Sequence, residues 1–157
     1  MTLSARTIAL AVAAIAVLLT LVLWPKAALT DEDQIRALVA SCVRAAEDKE
    51  LSVITDAMTD DFAGPSGAGR DDVKRLIAFQ VLRDKESVAV FNPSLTVDVT
   101  GPDTATVLGK FVFARSKAKS FDQLPEGSVV NAYEITAGLK KLDGKWRFST
   151  ATYKQGY

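Results

Sequence analysis

The period of the hydrophobic pattern changes once along this chain, near Ser87, and that change limits the fold more than any other feature. Upstream, Ile35, Leu38, Val39, Cys42, Val43 and Ala46 fall at i, i+3, i+4, i+7, i+8 and i+11, one apolar stripe on a helix spanning 31–49. Thr30 or Asp31 suits its N-cap, with Asp33 or Gln34 three residues on. A short helix is expected at 51–58, with Leu51, Ile54 and Met58 inward. A third, at 70–85, carries Asp71 and Asp72 in its first turn, where carboxylates suit the helix dipole. Its apolar positions (Val73, Leu76, Ile77, Phe79, Val81 and Leu82) form a wide stripe that predicts burial on more than one side.

Downstream, Leu95, Val97 and Val99 alternate with Thr96, Asp98 and Thr100, the period of a strand. Gly101-Pro102-Asp103 turns the chain into 104–115, apolar on both alternations and therefore central in a sheet. Strands are expected at 128–142 and 145–154, joined by Asp143-Gly144, a pair that accepts the positive φ angles of a tight hairpin. Helices first and strands afterwards mean α+β: three helices, then an antiparallel sheet of four to five strands.

Ahead of this domain stands TIALAVAAIAVLLTLVLW, residues 7–24, without a charge and with Thr7 and Thr20 as its polar side chains. Eighteen helical residues rise ~27 Å, close to the ~30 Å hydrocarbon core of a bilayer. Trp24 closes the run at the level where an amphipathic ring suits the headgroups. Arg6 and the amino terminus lie on one side, Lys26 and then Asp31-Glu32-Asp33 on the other. The charge bias favours a cytoplasmic tip at 1–6, a transmembrane signal anchor at 7–24, a linker at 25–30 and an exported domain at 31–157. The expected location is a single pass in a bacterial inner membrane, with the domain on the periplasmic side. A cleaved signal peptide competes, but no small-x-small site follows the run and Pro25-Lys26 intervenes. Val39-Ala40-Ser41-Cys42 mimics a lipidation box, yet charges separate it from the apolar run and Cys42 belongs to the helix stripe.

From residue 27 onward there are 17 basic and 19 acidic residues, a net of −2, and no basic run is interleaved with aromatics, so nucleic acid binding has no support. The chain has one cysteine, so it forms no internal disulfide, and no histidine, which removes Ser-His-Asp and Cys-His sets, histidine metal sites and a histidine base. Asp56, Asp60 and Asp61 lack the spacing of an oxygen-ligand loop, and 64–69 followed by Arg70 lacks the Lys and Ser/Thr of a phosphate loop. Neither a metal nor a cofactor is expected.

Four stretches stand in a telling order: IRALVASCVRAAEDKELSVITDAMTDDF, GRDDVKRLI, TVDVTGPDTATVLGKF and KKLDGKWRFSTATY. Together they make 31–157 resemble nuclear-transport-factor-2-like (NTF2-like) domains, the α+β cone shared with SnoaL-type cyclases and ketosteroid isomerases. The resemblance implies a sheet curled around helices, a pocket walled by the last strands, and pairing of domains through the open sheet face. Enzymes of this kind use a His, an Asp or a Tyr–Asp set inside the cone.

In this chain the surviving acid–base candidates are Asp98 and Glu134, with Tyr133 as a possible partner, but both carboxylates oppose the apolar alternation of their strands. Asn131 and Tyr133 fall on the apolar alternation, and with Phe111, Phe113 and Trp146 they are the expected lining of an apolar pocket with a few hydrogen-bonding groups. Gln80 is a similar boundary case. The reading favours a non-catalytic, membrane-tethered module that binds a protein partner, a second copy through the sheet face, or a small apolar ligand. The alternative is a histidine-free isomerase, dehydratase or cyclase acting on a hydrophobic substrate.

Overall fold

The computed structural model describes residues 29–83, 88–126, 128 and 130–156, with the side chains at 77 and 80–83 excepted. The anchor expected at 7–24 and the Gln80 side chain therefore lie outside the described residues. No helix among the described residues is long and apolar enough to cross a membrane. The elements run α1 (Asp31–Glu47), α2 (Leu51–Asp56), β1 (Met58–Ala63), α3 (Arg70–Arg83), β2 (Val88–Val99), β3 (Thr104–Arg115), β4 (Val130–Leu142) and β5 (Lys145–Gln155). They build an α+β fold on one curved five-stranded sheet, in the order β1-β5-β4-β3-β2.

Two expectations change. The second helix ends at Asp56, and Met58–Ala63 is a strand, running parallel to β5 in a sheet whose other neighbours are antiparallel. Burial decides it: Met58, Thr59 and Phe62 are buried while Asp60 and Asp61 are exposed, and the N–H of Phe148 reaches the carbonyl of Ala57 at 2.8 Å. The third helix is not covered on two sides. Leu76 and Phe79 are 61% and 60% exposed.

Along β3 burial alternates residue by residue from Thr104 to Phe111. Ala105, Val107 and Phe111 face a core that also holds Ile35, Val39, Val90, Leu139 and Trp146. The opposite, open face of the sheet carries Thr96, Thr106, Leu108, Lys110 and Thr136, all exposed. Helix α1 packs on the core face through the stripe read from the sequence, with Ile35 fully buried.

The same helix guards the outermost strand. Arg36 Nη1 donates to the carbonyl of Leu95 at 3.2 Å, and Glu47 accepts from the N–H of Val90 at 2.9 Å. Eleven helical residues rise ~16.5 Å and five strand residues span about the same, so an α1 antiparallel to β2 meets both points. Between them β2 bulges around Asn92-Pro93, where its register on β3 shifts. A covered, bulged edge carrying a proline resists pairing with other chains.

The start of α1 is fixed as firmly. Thr30 caps it, its hydroxyl accepting from the N–H of Asp33 at 3.1 Å. Asp31 Oδ1 accepts from Lys141 Nζ at 2.6 Å and from Trp146 Nε1 at 3.0 Å, and the Lys141 ammonium stands 5.6 Å from the centre of the indole. This cluster ties the helix to the β4–β5 turn, where Asp143 and Gly144 have the positive φ that the sequence predicts.

Candidate functional site

Four of the five expected pocket residues come together. Phe111 pairs with Tyr133 and Phe113 with Asn131 on adjacent rungs of β3 and β4. Phe113 and Tyr133 meet edge to face, 5.8 Å between ring centres, and Tyr133 meets Tyr153 of β5 in the same way at 5.7 Å. These are diagonal cross-strand contacts, which long aromatic side chains can bridge. The result is an aromatic ladder across three strands, on the face where Ile135 packs on the core. It runs from half-buried Phe113 and Tyr133 out to Tyr153, which is 57% exposed.

Phe111 fills the wall behind it. Gly109 has no side chain, and a Cβ there would stand 2.6 Å from the Phe111 ring and 3.2 Å from Leu95. The ring therefore lies over the glycine. Asn92, in the β2 bulge beside this rung, has a buried Oδ1 without a hydrogen-bond partner among the described residues. Asn131 is exposed at the start of β4.

Trp146 is not part of this group. It pairs with Lys141, whereas Tyr133 lies eight residues earlier on β4, ~26 Å along the strand. The indole is 5% exposed and closes the opposite end of the fold, with its N–H spent on Asp31.

Tyr153 is the residue that the sequence reading missed. The β4–β5 register shifts at Gly138/Leu139, so Leu139 pairs with Phe148 but Gly138 with Thr150, and Ser149 is the extra residue. Past this bulge the parity of β5 is inverted, and Tyr153 takes the face of Trp146 and Phe148. A signal existed in the composition: Thr150, Thr152 and Lys154 suit a solvated face better than Ala151 and Tyr153 do.

The acid–base candidates stay apart. Asp98 is exposed and Glu134 half-buried, and both belong to the open face: Asp98 pairs with Thr106, and Glu134 with Lys110 and Lys154. The sheet stands between them and Tyr133. At the end where the ladder lies, Glu47 is half-buried and bonded to the N–H of Val90.

A concavity of about 750 Å³ opens away from the ladder, between α2, β1 and the start of α3. Arg70 occupies it, bonded to Asp60 at 2.5 Å and Asp56 at 3.3 Å, so these two carboxylates already hold a cationic side chain. Among the described residues no group of His, Cys, Asp and Glu is placed to hold a metal. Asp72 reaches back to the N–H of Gly69 at 3.0 Å. That bond, with Arg75 beside it, holds its carboxyl below the usual value and caps α3.

The chain belongs to the SnoaL-like domain family, whose model matches residues 27–152. It is similar to the solved structure of LinA, at 18% identity over 79% of this chain and 84% of that one, with a TM-score of 0.64. A type-3 LinA hexachlorocyclohexane dehydrochlorinase from Novosphingobium barchaimii matches at 18% identity over 79% and 85%, TM-score 0.62. An NTF2-like protein with a cystatin-like fold from Novosphingobium aromaticivorans matches at 24% identity over 78% and 80%, TM-score 0.62. Likenesses at this level of identity carry the fold. No curated protein matches the chain.

Proposed function

We propose that this is a single-pass protein of a bacterial inner membrane whose extracytoplasmic SnoaL-like domain binds, without catalysis, a small apolar ligand against the aromatic ladder. The observation that carries the reading is the ladder itself: Phe113, Tyr133 and Tyr153 at one end of the core face, with the Asn131 amide close by. Apolar walls with a few hydrogen-bonding groups are the usual make-up of a small-molecule site. The test is saturation-transfer NMR on the full chain in lipid nanodiscs with 2-naphthol as probe. Saturable transfer above empty nanodiscs, lost in Tyr133→Ala, supports the reading; transfer equal in the two proteins ends it.

A second reading, catalysis on a hydrophobic substrate, draws on the likeness to the dehydrochlorinases. It needs a base on the core face, whereas Asp98 and Glu134 belong to the other one. A protein partner or a second copy would use that open face, where the row Thr96, Leu108, Thr136, Thr152 is exposed and uncharged.

A further inference from the structure

Two lengths decide which way the ladder faces if the domain is tethered. The described chain begins at the β4–β5 turn end, because Thr30 caps α1 and Asp31 is held by Lys141 and Trp146. Five residues, or six Cα–Cα steps, separate Trp24, the end of the apolar run, from Thr30. Fully extended, this leash reaches ~20 Å. From the Lys141–Trp146 rung to the Tyr133–Gln155 rung the strand measures ~26 Å. To turn the ladder end onto the bilayer, the attachment point would have to rise the full length of the sheet above the surface. The leash is too short for that.

Exposed apolar side chains do not settle the matter by themselves. They occur at both ends, with Leu29, Val99 and Leu142 near the turns and Phe121, Val130 and Tyr153 at the other. The turn end carries no basic excess either: Lys145 is offset by Asp143 and Asp103, and Lys141 by Asp31. Attraction to anionic lipid would not orient the domain, whereas the leash length excludes the pose with the ladder end on the bilayer.

We infer that the ladder is presented to the aqueous phase, away from the tethering bilayer, so that its occupant is a water-borne small apolar molecule and not a lipid drawn from that membrane. The inference rests on the tethered-binding reading above and names the source of its ligand. Exposed Tyr153 at the rim and the Asn131 amide suit a solute that arrives hydrated and keeps one hydrogen bond.

The experiment uses the full chain in liposomes, first floated on a density gradient. Amide signals are then recorded by solid-state NMR with and without headgroup-nitroxide lipid. The expected result is strong loss of signal at Asp143, Gly144 and Lys145, with Asn131 and Gln155 retaining at least several-fold more. Equal loss at both ends, or loss confined to Asn131 and Gln155, overturns the orientation and leaves the tether standing. A protein that stays at the bottom of the gradient overturns the tether and the inference with it. Inserting twelve Gly/Ser residues after Lys26 lengthens the leash to ~60 Å, and the difference between the ends should then shrink. Persistence of the full difference in that variant would mean that something other than the leash orients the domain, against the inference.

Discussion

The carboxylate of Asp31 accepts the indole N–H of Trp146 at 3.0 Å, across 115 residues of sequence. One bond thus joins the first residue of α1 to the hairpin that ends the domain. With Lys141 on the same oxygen at 2.6 Å, the contact fixes where the helix enters the fold and which end of the sheet the N-terminal segment leaves from. Trp146 is the anchor of this join. Cutting it to alanine should cost about 3–5 kcal/mol, the range for a buried Trp, read as a lowered denaturant midpoint.

The charge on Asp31 makes the join depend on pH. The hydrogen bond from Lys141, then that from Trp146, holds the carboxyl below its ordinary value. A folded pKa below the unfolded one contributes stability above the unfolded value, about 3.9, and loses it as the pH falls through the folded one. Asp31→Asn keeps an acceptor for the indole and removes the charge. It should melt below the wild type at pH 7, and the gap should close below about pH 4. A gap that is constant down to pH 2 would mean that the charge contributes nothing.

Glu47 gives a local readout of edge protection. Its carboxylate accepts the N–H of Val90 on the outermost strand at 2.9 Å. A hydrogen bond to a charged group contributes on the order of 1.5–3 kcal/mol. Glu47→Ala should therefore speed exchange of the Val90 amide by roughly tenfold or more, while amides in the central strand β3 hold their protection. Unchanged exchange at Val90 would show that water or another group serves that N–H equally well.

The order of elements was legible because hydrophobic period reports which face is buried: Ile35 and Val39 on α1 point where the spacing puts them, whereas β3, apolar on both alternations, buries Val107 and Phe111 and leaves Leu108 exposed. Tyr153 was not, because strand parity assumes an unbroken register and the extra residue Ser149 reverses it; that bulge depends on the Ser149 hydroxyl reaching the carbonyl of Gly138 at 3.1 Å. Strand β1 was hidden for a related reason. Its two aspartates read as the end of a helix, and its pairing partner lies some ninety residues away. Trp146 was grouped with residues from which its pairing with Lys141 separates it, since residue type speaks to depth and only the register gives the distance along a strand. The carboxylates of Asp98 and Glu134 fell on the open face, as their alternation implied.

Cys42 faces the opposite pH limb. Burial pushes its thiol up to about 11, above the ~8.5 of an unperturbed cysteine. The native state therefore favours the neutral thiol, and the stability this gives is present below pH ~8.5 and lost as the pH rises toward 11. Cys42→Ala should show a shallower loss of stability between pH 8.5 and 11 than the wild type. The native thiol should also react with a disulfide reagent at pH 8 far more slowly than in denaturant, because the thiolate is the attacking species. Fast labelling of the folded protein would place Cys42 outside the helix stripe.

Gly109 tests whether the wall behind the ladder is packed as described. A Cβ at this position would meet the Phe111 ring at 2.6 Å, closer than real contacts allow, and Leu95 at a tight 3.2 Å. The backbone there needs no special φ, so the cost of Gly109→Ala lies in the collision with the ring, about 1–3 kcal/mol for an overpacked site. Phe111→Leu alone opens a void and should cost a comparable amount. Combined, the smaller side chain admits the new methyl group, so the double variant should be more stable than the sum of the two losses implies, with a coupling of roughly 1 kcal/mol. Strict additivity in denaturant melts would mean that the ring does not lie over the glycine, and the ladder would then lose its rear wall.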